Sequence, residues 1–280
     1  MNKAYALFEL MRLDKPIGIY LLLWPALIAL VISTRGNFQY SDLIIVIIGS
    51  IIVRSAGCVI NDIWDKDLDG NVERTKLRPI PSKKVSIQES WGLFIMLGVF
   101  SLILLSLTNT NTILISLCFG LMIVVYPLTK RFFIGPQIFL GLTFNPTIIV
   151  YAMTNELNNS TMIFLYLAIS AMTIAFDTLY GMCDKDDDKK LGINSTPLWW
   201  GSNTLVIVAI FQSLSICLLL MVGLQAELEF IWLIGTIFLS GFYFYQHQLA
   251  KQKKYLLAFK NNHFASLYLL VLSVFCFHMM

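Results

Sequence analysis

Long apolar segments of near-uniform length constrain this chain more than any other feature. Nine of them lie at about 16–34, 41–63, 87–108, 111–128, 134–153, 161–182, 203–223, 229–249 and 263–280. A helix needs roughly 20 apolar residues to cross the hydrocarbon of a bilayer, and several of these segments reach that length with no interior charge. Only 13% of the residues are charged, about half the share in a soluble domain, and mean hydropathy is +0.73. A membrane barrel would instead alternate polar and apolar residues over short stretches, a pattern absent here. The expectation is an all-α, polytopic membrane protein with nine transmembrane helices, forming one domain over 1–280.

Polar turn compositions separate the segments, at Arg35-Gly36-Asn37, Asn109-Thr110-Asn111, 155–160 and 225–229. Trp24-Pro25 and Asn145-Pro146 read as kinks within helices. Trp199-Trp200 reads as an interfacial anchor or part of a lid. The five cysteines are scattered, without a C-x-x-C pair, and read as small apolar residues inside helices. The three histidines lack companions at ligand spacing. The N-terminal block has no small-residue cleavage site after it and is read as a retained helix.

Lysine and arginine placement sets the orientation, because cytoplasmic loops carry the excess of positive charge. With the N-terminus in the cytoplasm, segments 1–15, 64–86, 129–133, 183–202 and 250–262 are inside and hold 18 of the 20 lysines and arginines. Arg35 is in an outside loop, and Arg54 lies within the second span.

Against this lipophilic background, acidic residues concentrate in two clusters. One reads Asn61-Asp62-Ile63-Trp64-Asp65-Lys66-Asp67-Leu68-Asp69, the other Asp184-Lys185-Asp186-Asp187-Asp188, and together they hold eight of the 17 acidic residues. Both follow a long apolar segment and fall on the expected cytoplasmic side. Their equivalent positions suggest a pseudo-repeat of spans 1–4 and 5–8. In helical phase Asn61, Asp65 and Asp69 share one face, with Arg54 nearly two turns earlier on the same side; Asp177, Tyr180, Asp184 and Asp188 follow the same logic. Asp62, Asp67, Asp186 and Asp187 point elsewhere, either behind the rows or into solvent.

A single aspartate at a helix end is most often simply solvated, and basic cytoplasmic loops follow from topology alone. Two D-x-x-x-D spacings at equivalent loops argue for more. Facing carboxylate rows repel unless cations separate them, and Mg²⁺ favours oxygen ligands and substrate phosphates. Arg74, Lys76, Arg78, Lys83, Lys84, Lys130 and Arg131 supply donors for phosphate oxygens. The combination suits a diphosphate attached to a lipid. Arg54, among apolar neighbours, needs either an aspartate partner or an anionic substrate group.

Several stretches then resemble the UbiA superfamily of intramembrane prenyltransferases, and within it the 4-hydroxybenzoate polyprenyltransferases of ubiquinone biosynthesis. They are Arg12 to Gly18, Arg54 to Asp69 with Arg74-Thr75 and Arg78-Pro79, Tyr126-Pro127 with Lys130-Arg131, and Asp177 to Asp188 with Ile193 to Thr196. The resemblance implies a bundle around a central cavity and Mg²⁺-dependent transfer from a polyprenyl diphosphate to 4-hydroxybenzoate or a related aromatic acid, in a bacterial inner membrane. It implies Asn61, Asp65 and Asp69 for one metal, Asp184 and Asp188 for the other, and Arg74, Arg78 and Lys130 on the diphosphate. Arg54 would face the aromatic acid, and Asp177 and Tyr126 the reacting carbon. Asn145-Pro146 and Pro197 to Trp200 depart from the family pattern.

Rival readings are a prenyltransferase for haem, chlorophyllide or another aromatic, a CDP-alcohol phosphotransferase, and an ion-coupled transporter. The phosphotransferase needs a second D-x-x-x-D at a fixed distance after D-G-x-x-A-R, which is missing. A transporter places its carboxylates near the midplane, whereas these sit at span ends. No nucleic-acid partner is expected.

Overall fold

The computed structural model describes residues 3–228 and 230–278, and every regular element among them is helical. In chain order they are α1 (Lys3–Leu10), α2 (Ile17–Ser33), α3 (Tyr40–Trp64), α4 (Lys66–Asp69), α5 (Ile87–Leu105), α6 (Thr110–Thr129), α7 (Pro136–Thr143) and α8 (Thr147–Met153). They continue as α9 (Ser160–Gly181), α10 (Lys185–Leu191), α11 (Thr196–Trp200), α12 (Thr204–Gln225), α13 (Phe230–Lys251) and α14 (Tyr255–His278). Five helical segments are long and apolar enough to cross a membrane: α3, α5, α6, α9 and the run Thr196–Gln225. The protein is a multi-pass integral membrane protein.

Each expected apolar segment is helical over most of its length, with two corrections. The fifth, at 134–153, is two short helices, α7 and α8, not one kinked helix. Pro146 has no N–H for the ladder, and buried Asn145 satisfies the broken backbone. Its Nδ2 donates to the Tyr166 carbonyl at 2.8 Å and to Ser170 Oγ at 2.9 Å, and its Oδ1 accepts from Thr147 N at 3.2 Å. By contrast α2 runs unbroken through Pro25. The ninth starts at Tyr255, well before 263. Its polar start is tolerated because Asn261 and Asn262 accept from Gln246 of α13 at 3.1 and 3.2 Å. Residues 1, 2, 229, 279 and 280, which include ends of the expected eighth and ninth spans, lie outside the described residues.

The main core is built from α2, α9, α12, α13 and α14, through Ile28, Leu30, Leu165, Ile169, Leu219, Trp232, Leu239 and Leu269. Polar side chains join these helices, as expected where apolar burial alone gives little drive between them. Gln212 donates to Gln246 at 2.8 Å, and Trp232 Nε1 donates to the Leu219 carbonyl at 2.8 Å. α5 and α6 turn apolar side chains outward instead, among them Ile95, Phe100, Ile103, Leu114 and Leu121. α5 starts on a reciprocal cap between Ser86 and Glu89, which ends the 70–86 loop cleanly. That loop and the 182–195 segment contribute to the site, beside the ends of α3 and α6.

Candidate active site

Helical phase brings each acidic row together, although neither helix continues through it. α3 ends at Trp64 and α9 at Gly181, and a new short helix begins after Asp65 and after Asp184. The rows survive because backbone bonds keep the four-residue spacing: Asp65 N to Asn61 O at 2.9 Å, Asp69 N to Asp65 O at 2.8 Å, and Asp188 N to Asp184 O at 2.8 Å. The two hinge aspartates share one backbone conformation, φ −94° and ψ 6° at Asp65 and φ −107° and ψ 3° at Asp184. Both lie in the sparsely populated bridge region between helix and strand.

Basic side chains of the protein pair with Asp65 and Asp69 of the first row and with Asp184 of the second. Lys130 Nζ donates to Asp65 Oδ2 at 2.5 Å, and Asn61 Nδ2 to the same oxygen at 3.2 Å. Arg78 Nη1 donates to Asp69 at 2.8 Å and to Asp62 at 3.1 Å. Arg74 reaches across to the second cluster, donating through Nε and Nη2 to Asp184 at 2.8 and 2.5 Å, and through Nη1 to the Tyr180 hydroxyl at 2.5 Å. Its guanidinium also stacks on the Tyr180 ring, 4.7 Å from the centroid.

Titration follows from these contacts. Burial raises Asp65 above the ordinary carboxylate range, with Lys130 opposing it. Asp69 is raised in the same way against Arg78. Burial pushes Asp188 up to about 6, helped by the charge of Asp184. Burial alone would lower Arg74 and Arg78, but their acidic partners hold both above the usual arginine value.

Asp62 is not solvated. It is 1% exposed and accepts from Arg12 at 2.7 and 2.8 Å as well as from Arg78. Arg12 belongs to the Arg12 to Gly18 stretch, and phase alone gave no reason to pair it with the first cluster. Asp67 and Asp186 are exposed, and Asp187 pairs locally with Lys190 at 3.2 Å.

Both rows open into one cavity of about 1470 Å³, which also takes in Arg54, Tyr126 and Asp177. An apolar arm runs from there between α3, α5 and α6 to Leu105 and Thr112. Among the described residues none forms an ion pair with Arg54 within 4.0 Å, so the aspartate-partner reading is not realised. Its Nε is buried without a hydrogen-bond partner, and its guanidinium lies 5.2 Å from the centre of the Phe144 ring. Gly18 makes the room, since a Cβ there would collide with the guanidinium. Asp177 and the Tyr126 hydroxyl likewise face the cavity, each half-buried.

Among the described residues, no three His, Cys, Asp or Glu groups stand close enough to chelate a metal together. The donors present nonetheless fit a hard cation. They are all oxygen, and Asp65 Oδ1 is buried with no partner in the protein.

A helical membrane bundle whose deep cavity joins two acid-and-arginine junctions to a long apolar arm is built to hold an anionic head on a hydrocarbon tail. The chain belongs to the UbiA prenyltransferase family, whose sequence profile matches residues 22–270. The 4-hydroxybenzoate octaprenyltransferase of Vibrio campbellii is 38% identical over 276 residues, covering 96% of each chain. That of Vibrio parahaemolyticus is 40% identical over 271 residues, covering 95% of each. Among solved structures, a UbiA homologue from Aeropyrum pernix matches the fold with a TM-score of 0.80 at 23% identity, over 90% of this chain and 94% of that one. A UbiA homologue from Archaeoglobus fulgidus, bound to GPP and Mg²⁺, matches with a TM-score of 0.75 at 16% identity, over 98% and 99%.

Proposed function

We propose that the protein transfers a polyprenyl group from polyprenyl diphosphate to the ring carbon ortho to the hydroxyl of 4-hydroxybenzoate, giving 3-polyprenyl-4-hydroxybenzoate and diphosphate for ubiquinone biosynthesis. The observation that carries this reading is the meeting of both acidic junctions over one cavity, with Arg54 unpaired beneath them. Relatives named for this reaction, at 38–40% identity over nearly the whole chain, support the choice of acceptor.

Asn61, Asp65 and Asp69 would hold one Mg²⁺, and Asp184 and Asp188 a second. Bound Mg²⁺ supplies positive charge to the departing diphosphate. Arg74, Arg78 and Lys130 donate hydrogen bonds to its oxygens, exchanging their present carboxylate partners for phosphate. The apolar arm takes the prenyl tail and keeps water from the allylic cation that forms as the C–O bond breaks. Arg54 holds the acceptor carboxylate, while Tyr126 and Asp177 stand near the ring. The site faces the cytoplasm of a bacterial inner membrane, an orientation supported by the lysine and arginine bias. The matched conformations of Asp65 and Asp184 support an old duplication of spans 1–4 as 5–8 within one domain.

The test is transfer by membranes carrying the protein, supplied with ring-labelled 4-hydroxybenzoate, Mg²⁺ and octaprenyl diphosphate. Labelled lipid appearing only with Mg²⁺ is expected. No labelled lipid with any prenyl length, or preference for another acceptor in a panel, sinks the reading.

A further inference from the structure

Arg78 is shared between two carboxylates that differ in what stands behind them. Its Nη1 donates to Asp69 Oδ2 at 2.8 Å and to Asp62 Oδ1 at 3.1 Å. An arginine Nη carries two N–H groups, so each acid takes one. Behind Asp62 stands a second arginine. Arg12 Nη2 donates to both Asp62 oxygens, at 2.8 and 2.7 Å, and Arg12 Nη1 donates to the Glu9 carbonyl at 3.0 Å. Asp62 is 1% exposed with both oxygens engaged by arginine, whereas Asp65 Oδ1 is buried without a partner. A carboxylate saturated by guanidinium groups is already matched in charge and geometry.

The backbone at Arg12 carries strain. Its φ is 59°, in the left-handed region that a residue with a side chain seldom adopts. Such strain persists where surrounding contacts over-determine it, most often at functional sites. The strained turn joins α1 to α2 and lies 50 positions from Asp62. Glu9 also pairs with Lys84 at 3.4 Å, which ties this turn to the loop that carries Arg78.

Resting on the transferase reading above, we infer that Arg12 and Asp62 are positioning residues that hold Arg78 at the diphosphate site when Asp69 turns to a metal ion. In that reading Asp69 gives up Arg78, and one Nη1 N–H becomes free for a phosphate oxygen. The other stays on Asp62, so the guanidinium neither follows Asp69 nor swings into solvent. Asp62 is then not a further carboxylate for the metal, and Arg12 acts without touching the substrate. A clasp that merely fastened the α1–α2 turn to α3 would change stability and leave the diphosphate step alone.

The experiment is a double-mutant cycle in membranes, with wild type, Arg12→Met, Arg78→Met and the double variant. Arg12→Met is expected to lower kcat/KM for octaprenyl diphosphate about ten-fold, the usual scale for losing a group that orients a ligand-binding side chain. KM for 4-hydroxybenzoate stays unchanged. In the Arg78→Met background the same substitution should cost nothing further. An equal cost with and without Arg78 overturns the inference. Asp62→Asn should show the same loss, and raising Mg²⁺ should not restore it; restoration by Mg²⁺ makes Asp62 a metal ligand and overturns the assignment.

A second readout needs no turnover. Calorimetry on the solubilised protein with Mg²⁺ and inorganic diphosphate should show binding weakened about ten-fold in Arg12→Met; unchanged affinity overturns the inference. If Arg12→Met fails to insert, Arg12→Lys carries the test, because it keeps a cation on Asp62 but loses the guanidinium fork. A smaller loss confined to the diphosphate is expected there, and a loss confined to 4-hydroxybenzoate overturns the proposal. Absence of transfer to 4-hydroxybenzoate by wild type is a separate result: it removes the transferase reading, while diphosphate binding still tests the hold on Arg78.

Discussion

Arg74 and Asp184, 110 positions apart, are joined by two parallel hydrogen bonds of 2.8 and 2.5 Å. The pair fastens the loop after the first acidic row to the hinge of the second. Arg74 is thus both a brace between the halves and a ready donor for an incoming diphosphate. Arg74→Ala should lower kcat/KM for polyprenyl diphosphate by about 100-fold, in the range for loss of one charge-stabilising donor. Arg74→Lys should restore little, because a lysine cannot make the paired contact. Initial rates against each substrate check this.

Gly18 touches the guanidinium of Arg54, so Gly18→Ala pushes the arginine off its place over Phe144. The expected result is a KM for the aromatic acid raised about ten-fold, worth about 1.4 kcal/mol, with KM for the diphosphate unchanged. Acceptor titrations at saturating diphosphate measure it.

Asp188 predicts a pH dependence whose sign is opposite to that of a salt-bridged carboxylate. Its pKa in the folded protein is raised to about 6 by burial and by Asp184, so the folded state binds a proton that the unfolded state has already released. Stability of the metal-free protein should fall as pH rises from the ordinary carboxylate range to about 6 and level off above it. Asp188→Asn should flatten that slope. Because a ligating carboxylate must be ionised, thermal stabilisation by Mg²⁺ should grow over the same interval. Melting curves of the solubilised protein with EDTA or Mg²⁺ test both.

Asn145→Ala removes three hydrogen bonds at the break between α7 and α8. Leaving buried backbone groups unsatisfied should destabilise the protein by about 1–3 kcal/mol. The loss is read as a lower denaturation midpoint, with the bound-substrate form less affected.

Hydropathy located the helices, because burial in lipid demands long apolar runs whatever their neighbours do. It missed the division at Asn145-Pro146, where the decisive partners, Tyr166 and Ser170, lie on α9. Helical spacing selected Asn61, Asp65 and Asp69 and survived the hinge at Asp65, since the backbone bonds that define the spacing persist there. Spacing gave no sign that Lys130 would hold Asp65 or that Arg12 would meet Asp62. Those pairs depend on how α6 and the α1–α2 link pack on α3, a tertiary matter with no local periodic signature. Arg54 was conspicuous as a charge in an apolar run; the glycine that seats it was visible only as part of a resemblance.

The bond from Arg74 to Asp184 also sets an order of events during synthesis. Ribosomes add about 5–20 residues per second, so Arg74 is made roughly 5–20 s before the aspartate that will hold it. The first acidic cluster settles earlier from nearer sources: Asp62 with Arg12, Asp69 with Arg78, then Asp65 with Lys130. The amino-terminal half can therefore enter the bilayer with Asp62, Asp65 and Asp69 already matched, and the second half arrives to close the last latch.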